Sequence, residues 1–242
     1  MDKLIKALIR LSAESHLDNF DWRIPENCPI EIPADCGTGY LKNIYLKENF
    51  HQVIRDDDTL NSHYWVIRDW GGIGTFQRNE NNDRRIRSFM ERLTDTELTN
   101  KNLTMNRDLF GCISSLSKVA SFMCPDKYAI YDSRAIYALN WLLFNHSNLE
   151  LFPQPTGRNA KLSKYDLQTI FRLINLNVRY KPHDVAYHEY CQLLRQLSQQ
   201  VFGEDSRPYK VEMLLFMVAT TKIIEQITNS VSVTITIPVT GA

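Results

Sequence analysis

One stretch of the chain, residues 108–140, places a lysine and an aspartate where they could act together on a substrate. Lys118 precedes the apolar Val119, and Asp132 stands directly before a segment with helical periodicity. An amine buried among apolar groups tends to stay uncharged, and it can then attack an electrophilic carbon. A nearby carboxylate can activate that nucleophile and stabilise positive charge on the substrate. Both residue types also have ordinary roles, because an Asp before a helix is most often an N-cap and a lone Lys is usually solvated.

The elements that must position these two side chains are helical. Apolar residues recur at helical spacing over 109–123, and Pro125 predicts a helix end near residue 124 because proline cannot continue a helix. Asp132 is expected to open the next helix, which runs to about residue 144. Other segments with helical periodicity lie near residues 2–15, 40–55, 82–93, 163–175, 183–202 and 208–228. The fold class is therefore mainly α, and the polar stretch 95–106 is expected to be a loop.

A small β element is also expected. Residues 231–240, VSVTITIPVT, alternate and are β-branched, which predicts one strand that could pair with the irregular, proline-containing arm at 28–36. No linker separates two independent domains. We therefore expect residues 1–242 to form one domain with helical lobes over about 1–105 and 106–242.

The composition argues against several classes of protein. The 242 residues include 28 basic and 28 acidic side chains, for a formal net charge of zero, whereas proteins that coat nucleic acid nonspecifically are usually strongly basic. No apolar stretch is long enough to span a membrane, so no membrane partner is expected, and charges interrupt the apolar pattern of the N-terminus, unlike in a signal peptide. The five cysteines form no CxxC pair, which favours free thiols in a reducing cytoplasm. The dispersed histidines predict no metal site.

The order of residues between Ser117 and Asp132 resembles the helix–hairpin–helix DNA glycosylase superfamily, and most closely its 8-oxoguanine DNA glycosylase branch. Ser-Lys-Val-Ala at 117–120 is similar to the Thr-Lys-Val-Ala that begins the second hairpin helix of that branch. Pro125 and the Ala-Ile-Tyr-Asp of residues 129–132 are similar to its connector and to the start of its next helix. The segment KVASFMCPDKYAIYDSRA also resembles bacterial 8-oxoguanine-glycosylase-fold proteins, many of which belong to anti-phage defence loci. The direct likeness covers residues 108–140 only.

The resemblance implies a two-lobed, all-α helix–hairpin–helix fold and a cytoplasmic N-glycosylase with possible β-elimination (AP lyase) activity. It implies that Lys118 is the Schiff-base lysine and that Asp132 is the catalytic aspartate. The substrate would be a flipped, modified or abasic nucleotide, in nucleic acid or free. Protein partners from the same defence system are possible, and no cofactor is implied.

Six further residues are candidates for contact with such a substrate. The candidates for substrate contact are Phe122, Arg134 and Trp70, and those for phosphate contact are Ser117, Arg84 and Arg85. Phe122 lies one helical turn after Lys118, where the 8-oxoguanine branch has a small side chain, so it is expected to fill part of the base slot and make 8-oxoguanine a poor substrate. Trp70 could fill the stack vacated by a flipped base, although an aromatic core residue beside the glycine turn is the commoner role. The two neighbouring arginines usually mark only a solvated helix face.

Two departures from the family pattern leave a rival interpretation open. The hairpin has one glycine, Gly111, where the family carries a Gly-x-Gly that grips a DNA phosphate, and the interval from Lys118 to Asp132 is shorter than in the repair enzymes. The rival is a catalytically retired module that binds a modified nucleotide or a partner protein. A third possibility is a structural subunit that docks through the uncharged tail, residues 226–242. An active enzyme requires the lysine amine and the aspartate carboxylate to face one open cleft.

Overall fold

The computed structural model describes residues 1–99, 101–157 and 159–232. Within these ranges the chain is helical and contains no strand, apart from one isolated bridge between Leu151 and Tyr180. The predicted mainly α fold class is therefore confirmed. The helices are α1 Asp2–Glu14, α2 Gly39–Asn49, α3 His51–Arg55, α4 Asn61–Tyr64, α5 Glu80–Thr99, α6 Arg107–Gly111, α7 Ile113–Met123, α8 Ser133–His146, α9 Ala160–Lys164, α10 Leu167–Leu173, α11 His183–Phe202, α12 Pro208–Val218 and α13 Ile224–Ser230. Short π-helical segments at Trp65–Trp70 and Ala219–Ile223 continue α4 and join α12 to α13.

The helices that carry the lysine and the aspartate begin and end close to the predicted positions. The likeness to a hairpin predicted a second helix beginning at Ser117, but the break falls earlier, because α6 ends at Gly111 and α7 begins after Cys112. Lys118 therefore lies in the second turn of α7 and not at its first residues. α7 ends at Met123, just before Cys124-Pro125, and Asp132 is the N-cap of α8.

Two predictions from the sequence are corrected by the described residues. The expected loop at 95–106 begins late, because α5 continues to Thr99, whose hydroxyl donates to the carbonyl of Asp95. The arm at 28–36 adopts turns and bends and forms no strand. Its predicted partner, the strand at 231–240, lies outside the described residues from 233 onward.

The core is centred on α12, the most apolar helix. Leu214 and Leu215 are fully buried there, and each contributes about 2 kcal/mol through the removal of its side chain from water. α12 packs against α8 and α11, and α1 packs against all three. Elements from both ends of the sequence therefore pack together, and α7 packs against the N-terminal helices α2, α3 and α5.

Candidate active site

Lys118 and Asp132 line the same open cleft, which has a volume of about 520 Å³. The glycine turn at residues 71–75 and the loop at 155–157 both line it. Trp22, from the N-terminal arm, and the α6–α7 junction at Gly111 complete the rim. The lysine and the aspartate thus line one open cleft, and their catalytic roles stay a prediction.

The walls of the cleft are unusually rich in glycine. Five of the nine glycines in the chain line it, namely Gly71, Gly72, Gly74, Gly111 and Gly157. A wall without Cβ atoms lets a ligand approach the backbone amides and carbonyls closely. Space for such an approach exists at Gly72, Gly74 and Gly111, whereas the side chains of Lys118 and Ser133 occupy the Cβ positions of Gly71 and Gly157.

Lys118 is buried although it reaches the cleft, with 5% of its surface exposed. Its Nζ donates a hydrogen bond to the carbonyl of Ser114, one turn earlier in α7, at 2.8 Å. Burial lowers the pKa of this lysine because the charged ammonium is desolvated, and the negative charges of Asp132 and Glu212 oppose that shift. An amine with a lowered pKa is more often in the uncharged, nucleophilic form at neutral pH.

Asp132 caps α8 and faces the cleft at the same time. Its Oδ1 accepts the backbone N–H of Arg134 at 2.8 Å, and the Nε of Arg134 lies 3.8 Å from the same oxygen. Capping uses one carboxylate oxygen and fixes the orientation of the other. The structural and the chemical roles considered for this residue are therefore compatible.

Arg134 is a cation of the cleft that packs against two aromatic rings. Its guanidinium lies 3.6 Å from the ring centre of Phe216 and 5.8 Å from that of Trp22. Stacking of this kind holds a guanidinium in place while its edge stays available for an anion. Arg134 lines the cleft and lies beside Asp132, so both the ion pair and the ligand contact considered for it stay open, and the ligand contact remains a prediction.

Three residues expected to touch the substrate lie in the core and do not line the cleft. Phe122 is fully buried, and its ring packs edge-on against Trp70 at 4.8 Å. Trp70 is 4% exposed, and its Nε1 donates to Oδ1 of Asn43. The fully buried hydroxyl of Ser117 accepts the backbone N–H of Tyr131 at 2.9 Å. Spacing along α7 does not identify a cleft-facing side, because that helix is buried on nearly all sides. Trp70, in the π-helical segment 65–70, is the aromatic core residue that the sequence also allowed.

The arginines of α5 lie apart from the cleft. Arg85 pairs with Asp108 through its Nε and one terminal nitrogen, while Arg84 is exposed. Together they line a separate depression with Asn106. A phosphate contact from Arg85 would have to compete with its own carboxylate partner.

Three residues of the site were not identified from the sequence. Trp22 lines the cleft, and its Nε1 donates to the carbonyl of Trp70 at 2.7 Å. Lys47 and Glu212 are buried beneath the cleft, 1% and 4% exposed, and both interact electrostatically with Lys118. The available signal was Glu212, an acidic residue between Val211 and the apolar run 213–219 of α12, because a charge next to core residues rarely occurs without a role. Nothing in the local sequence marks Trp22 or Lys47.

No group of three or more His, Cys, Asp or Glu side chains in the described ranges could hold a metal ion. In the same ranges, no helix combines the length and the apolar character needed to cross a membrane. The five cysteines, all of them in described positions, form no disulfide. No family model matches the chain, and no match was found among curated proteins or solved structures.

Proposed function

We propose that this chain is a DNA glycosylase with AP-lyase-like activity, which acts on a flipped, modified or abasic nucleotide through a Schiff base on Lys118. The observation that carries the proposal is the meeting of a buried lysine amine and a helix-capping carboxylate in one glycine-walled cleft. The resemblance at 108–140 supplies the reaction class and the setting in anti-phage defence. Lys118 is the nucleophile and Asp132 is the activating carboxylate.

In the proposed reaction, the bond from C1′ of the sugar to the base is replaced by a bond from C1′ to the nitrogen of Lys118. The uncharged amine of Lys118 attacks C1′, and the C1′–N bond to the base breaks, so that the base leaves with the bonding pair and takes up a proton. Asp132 stabilises the positive charge on the sugar and accepts the proton lost by the attacking nitrogen. The C1′–O4′ bond then opens, and O4′ takes a proton as the Schiff base forms. Loss of a C2′ proton expels the 3′ phosphate with its C–O pair, and water finally hydrolyses the Schiff base.

The other side chains of the cleft support a nucleotide ligand. Trp22 offers an aromatic face on which a base could stack, and such stacking is worth about 1–3 kcal/mol per base. Arg134 supplies a cation for a phosphate. The glycine turn at 71–75 adds backbone groups without side chains to obstruct them.

Borohydride trapping tests the proposal. The protein is incubated with abasic, 8-oxoguanine and other modified oligonucleotides, as DNA and RNA and in single and double strands, and the Schiff base is reduced to a stable cross-link. We expect a cross-link with at least one substrate, its loss in Lys118→Gln, and its retention in Lys101→Gln, which alters an exposed lysine outside the cleft. Tight binding of a modified nucleotide without any cross-link would favour the retired binding module. If no oligonucleotide of the panel is bound and none is cross-linked, the glycosylase proposal is refuted.

A further inference from the structure

The basic groups in and around the cleft outnumber the acidic ones. Five ionisable groups interact electrostatically, namely the basic Lys47, Lys118 and Arg134 and the acidic Asp132 and Glu212. An ammonium buried without an opposite charge costs several kcal/mol. Because two carboxylates cannot each serve a different one of three basic groups, the group with the weakest compensation releases its proton most easily.

Lys118 has no carboxylate of its own, because Asp132, which exerts the strongest opposite charge on it, also pairs with Arg134. Arg134 lies beside the Asp132 carboxylate, with its Nε 3.8 Å from Oδ1. Glu212 and Lys47 exert the strongest charge interaction on each other. The hydrogen bond of the Lys118 ammonium goes to a neutral carbonyl, that of Ser114.

We propose that Lys47 is a positioning residue for Lys118: it offsets the charge of the Glu212 carboxylate, so that the Lys118 amine is left only the Asp132 carboxylate, which Arg134 shares, and stays in its nucleophilic form. The inference rests on the proposed function, and it identifies the part of the fold that keeps the nucleophile uncharged. Neither Lys47 nor Glu212 lines the cleft, so both act on the substrate only through Lys118.

The surroundings of Lys47 favour its charged form. Its Nζ donates to Oγ of Ser121 at 2.8 Å. Three aromatic rings surround the ammonium at 4.9–5.8 Å from their centres, those of Phe122, Trp70 and Tyr209. Ring faces attract a desolvated cation. The two aromatic residues expected to touch a substrate thus hold a buried cation instead.

The burial of the Glu212 carboxylate is compensated by nearby positive charges and not by a hydrogen bond to its Oε2. Its Oε2 is buried and has no hydrogen-bond partner among the described residues. Four elements supply the charged and titratable groups that interact electrostatically with Glu212. They are α2 (Lys47), α7 (Lys118), the start of α8 (Asp132 and Arg134) and α11 (Tyr190). Burial raises the pKa of Glu212 to about 7, against the opposing charge of Lys47. Burial lowers the pKa of Lys47 to about 8, against the opposing charge of Glu212.

The reactivity of Lys118 towards a small aldehyde tests this inference without any nucleic acid. The protein is methylated with ¹³C-formaldehyde and a borane reductant between pH 6 and 10, and modification of Lys118 is quantified by peptide mass spectrometry. In Lys47→Met the Glu212 carboxylate becomes available to Lys118. The pH at the midpoint of Lys118 reactivity should therefore rise by about one unit, which corresponds to about tenfold less modification of Lys118 at pH values below the midpoint. In Lys47→Met/Glu212→Gln the midpoint should return to the wild-type value. Lys42→Met, in the same helix, is the matched control and should leave the midpoint unchanged.

An unchanged midpoint in Lys47→Met overturns the inference, and so does a shift that persists in the double variant. If Lys47→Met does not fold, Glu212→Gln decides the question, because it leaves the Lys47 charge unopposed and should lower the midpoint. An unchanged or raised midpoint in that variant also overturns the inference. Failure of borohydride trapping with intact pH shifts would refute the proposed function and leave the charge relationship standing.

Discussion

The backbone of Gly71 lies directly against the side chain of Lys118. A methyl group on Gly71 would come within 2.5 Å of Lys118 Cδ and 2.6 Å of its Cε. It would also lie 2.6 Å from the carbonyl oxygen of Ile67, which the backbone fixes. The missing side chain at Gly71 therefore provides the space that the Lys118 side chain occupies at the cleft.

Gly71→Ala should displace the lysine. Because the new Cβ meets both a flexible side chain and a fixed carbonyl, we expect Lys118 to move and cross-linking by borohydride to fall by at least about tenfold. Gly74→Ala is the matched control, since a Cβ there meets nothing within 4 Å. Full trapping in Gly71→Ala would show that the position of Lys118 is not fixed by this contact.

Lys118→Met should stabilise the fold near neutral pH. The folded protein lowers the pKa of Lys118, so between that pKa and the ordinary value the unfolded chain binds more protons and stability rises with pH. Methionine removes this cost. We expect Tm at pH 7 to rise by about 2–4 °C, corresponding to roughly 1 kcal/mol, and the gain to vanish at pH values above the ordinary lysine pKa. Thermal unfolding followed by circular dichroism over that pH range checks this, and a loss of stability at pH 7 would contradict it.

Asp132→Asn should separate the chemical role of this residue from its capping role. Asparagine caps helices about as well as aspartate, so the free energy of unfolding should change little while turnover falls at least about tenfold. Asp132→Ala should lose about 1 kcal/mol in addition, because the bond to the Arg134 N–H is lost. Asp166→Asn, at the cap of α10, is a control whose turnover should match wild type. Unchanged turnover in Asp132→Asn would reduce the residue to a cap.

The helices were predictable because their signals are local. Pro125 and Asp132 mark a helix end and a helix start through the chemistry of one residue each. The side of α7 that meets the cleft was not predictable, because its neighbours on α2, α3 and α5 are distant in sequence and cover Phe122. Lys47 could not have been found for the same reason, since it meets Phe122 and Tyr209 only after folding.

The affinity for duplex DNA should be low. The formal net charge is zero, and Arg85 is paired with Asp108. Few phosphates can therefore be neutralised, and we expect a Kd for undamaged duplex of about micromolar or weaker at physiological salt. Fluorescence anisotropy at several salt concentrations measures this, with Arg84→Ala as a test of the exposed α5 arginine. Nanomolar binding independent of sequence would reveal a concentrated basic face.

The aromatic residue that governs ligand binding should be Trp22 and not Phe122. Phe122 is fully buried between Phe50 and Trp70, with the Lys47 ammonium 4.9 Å from its ring centre. Phe122→Ala should therefore cost about 3–5 kcal/mol of stability, as should the core control Phe89→Ala, and it should not create release of 8-oxoguanine. The expectation that 8-oxoguanine is a poor substrate thus loses the support of Phe122 and depends on the short interval before Asp132.

Trp22→Ala should act on the ligand instead. Its ring lines the cleft beside Arg134, so its removal should weaken binding of a trapped oligonucleotide by about five- to a hundredfold, the loss of one stacked base. Part of the indole is exposed, so its truncation should cost less stability than that of Phe122. Anisotropy titrations with each variant, beside their denaturation curves, separate the two effects. If a folded Phe122→Ala variant binds the oligonucleotide more weakly while Trp22→Ala binds it unchanged, the base contacts Phe122 on α7 and not Trp22.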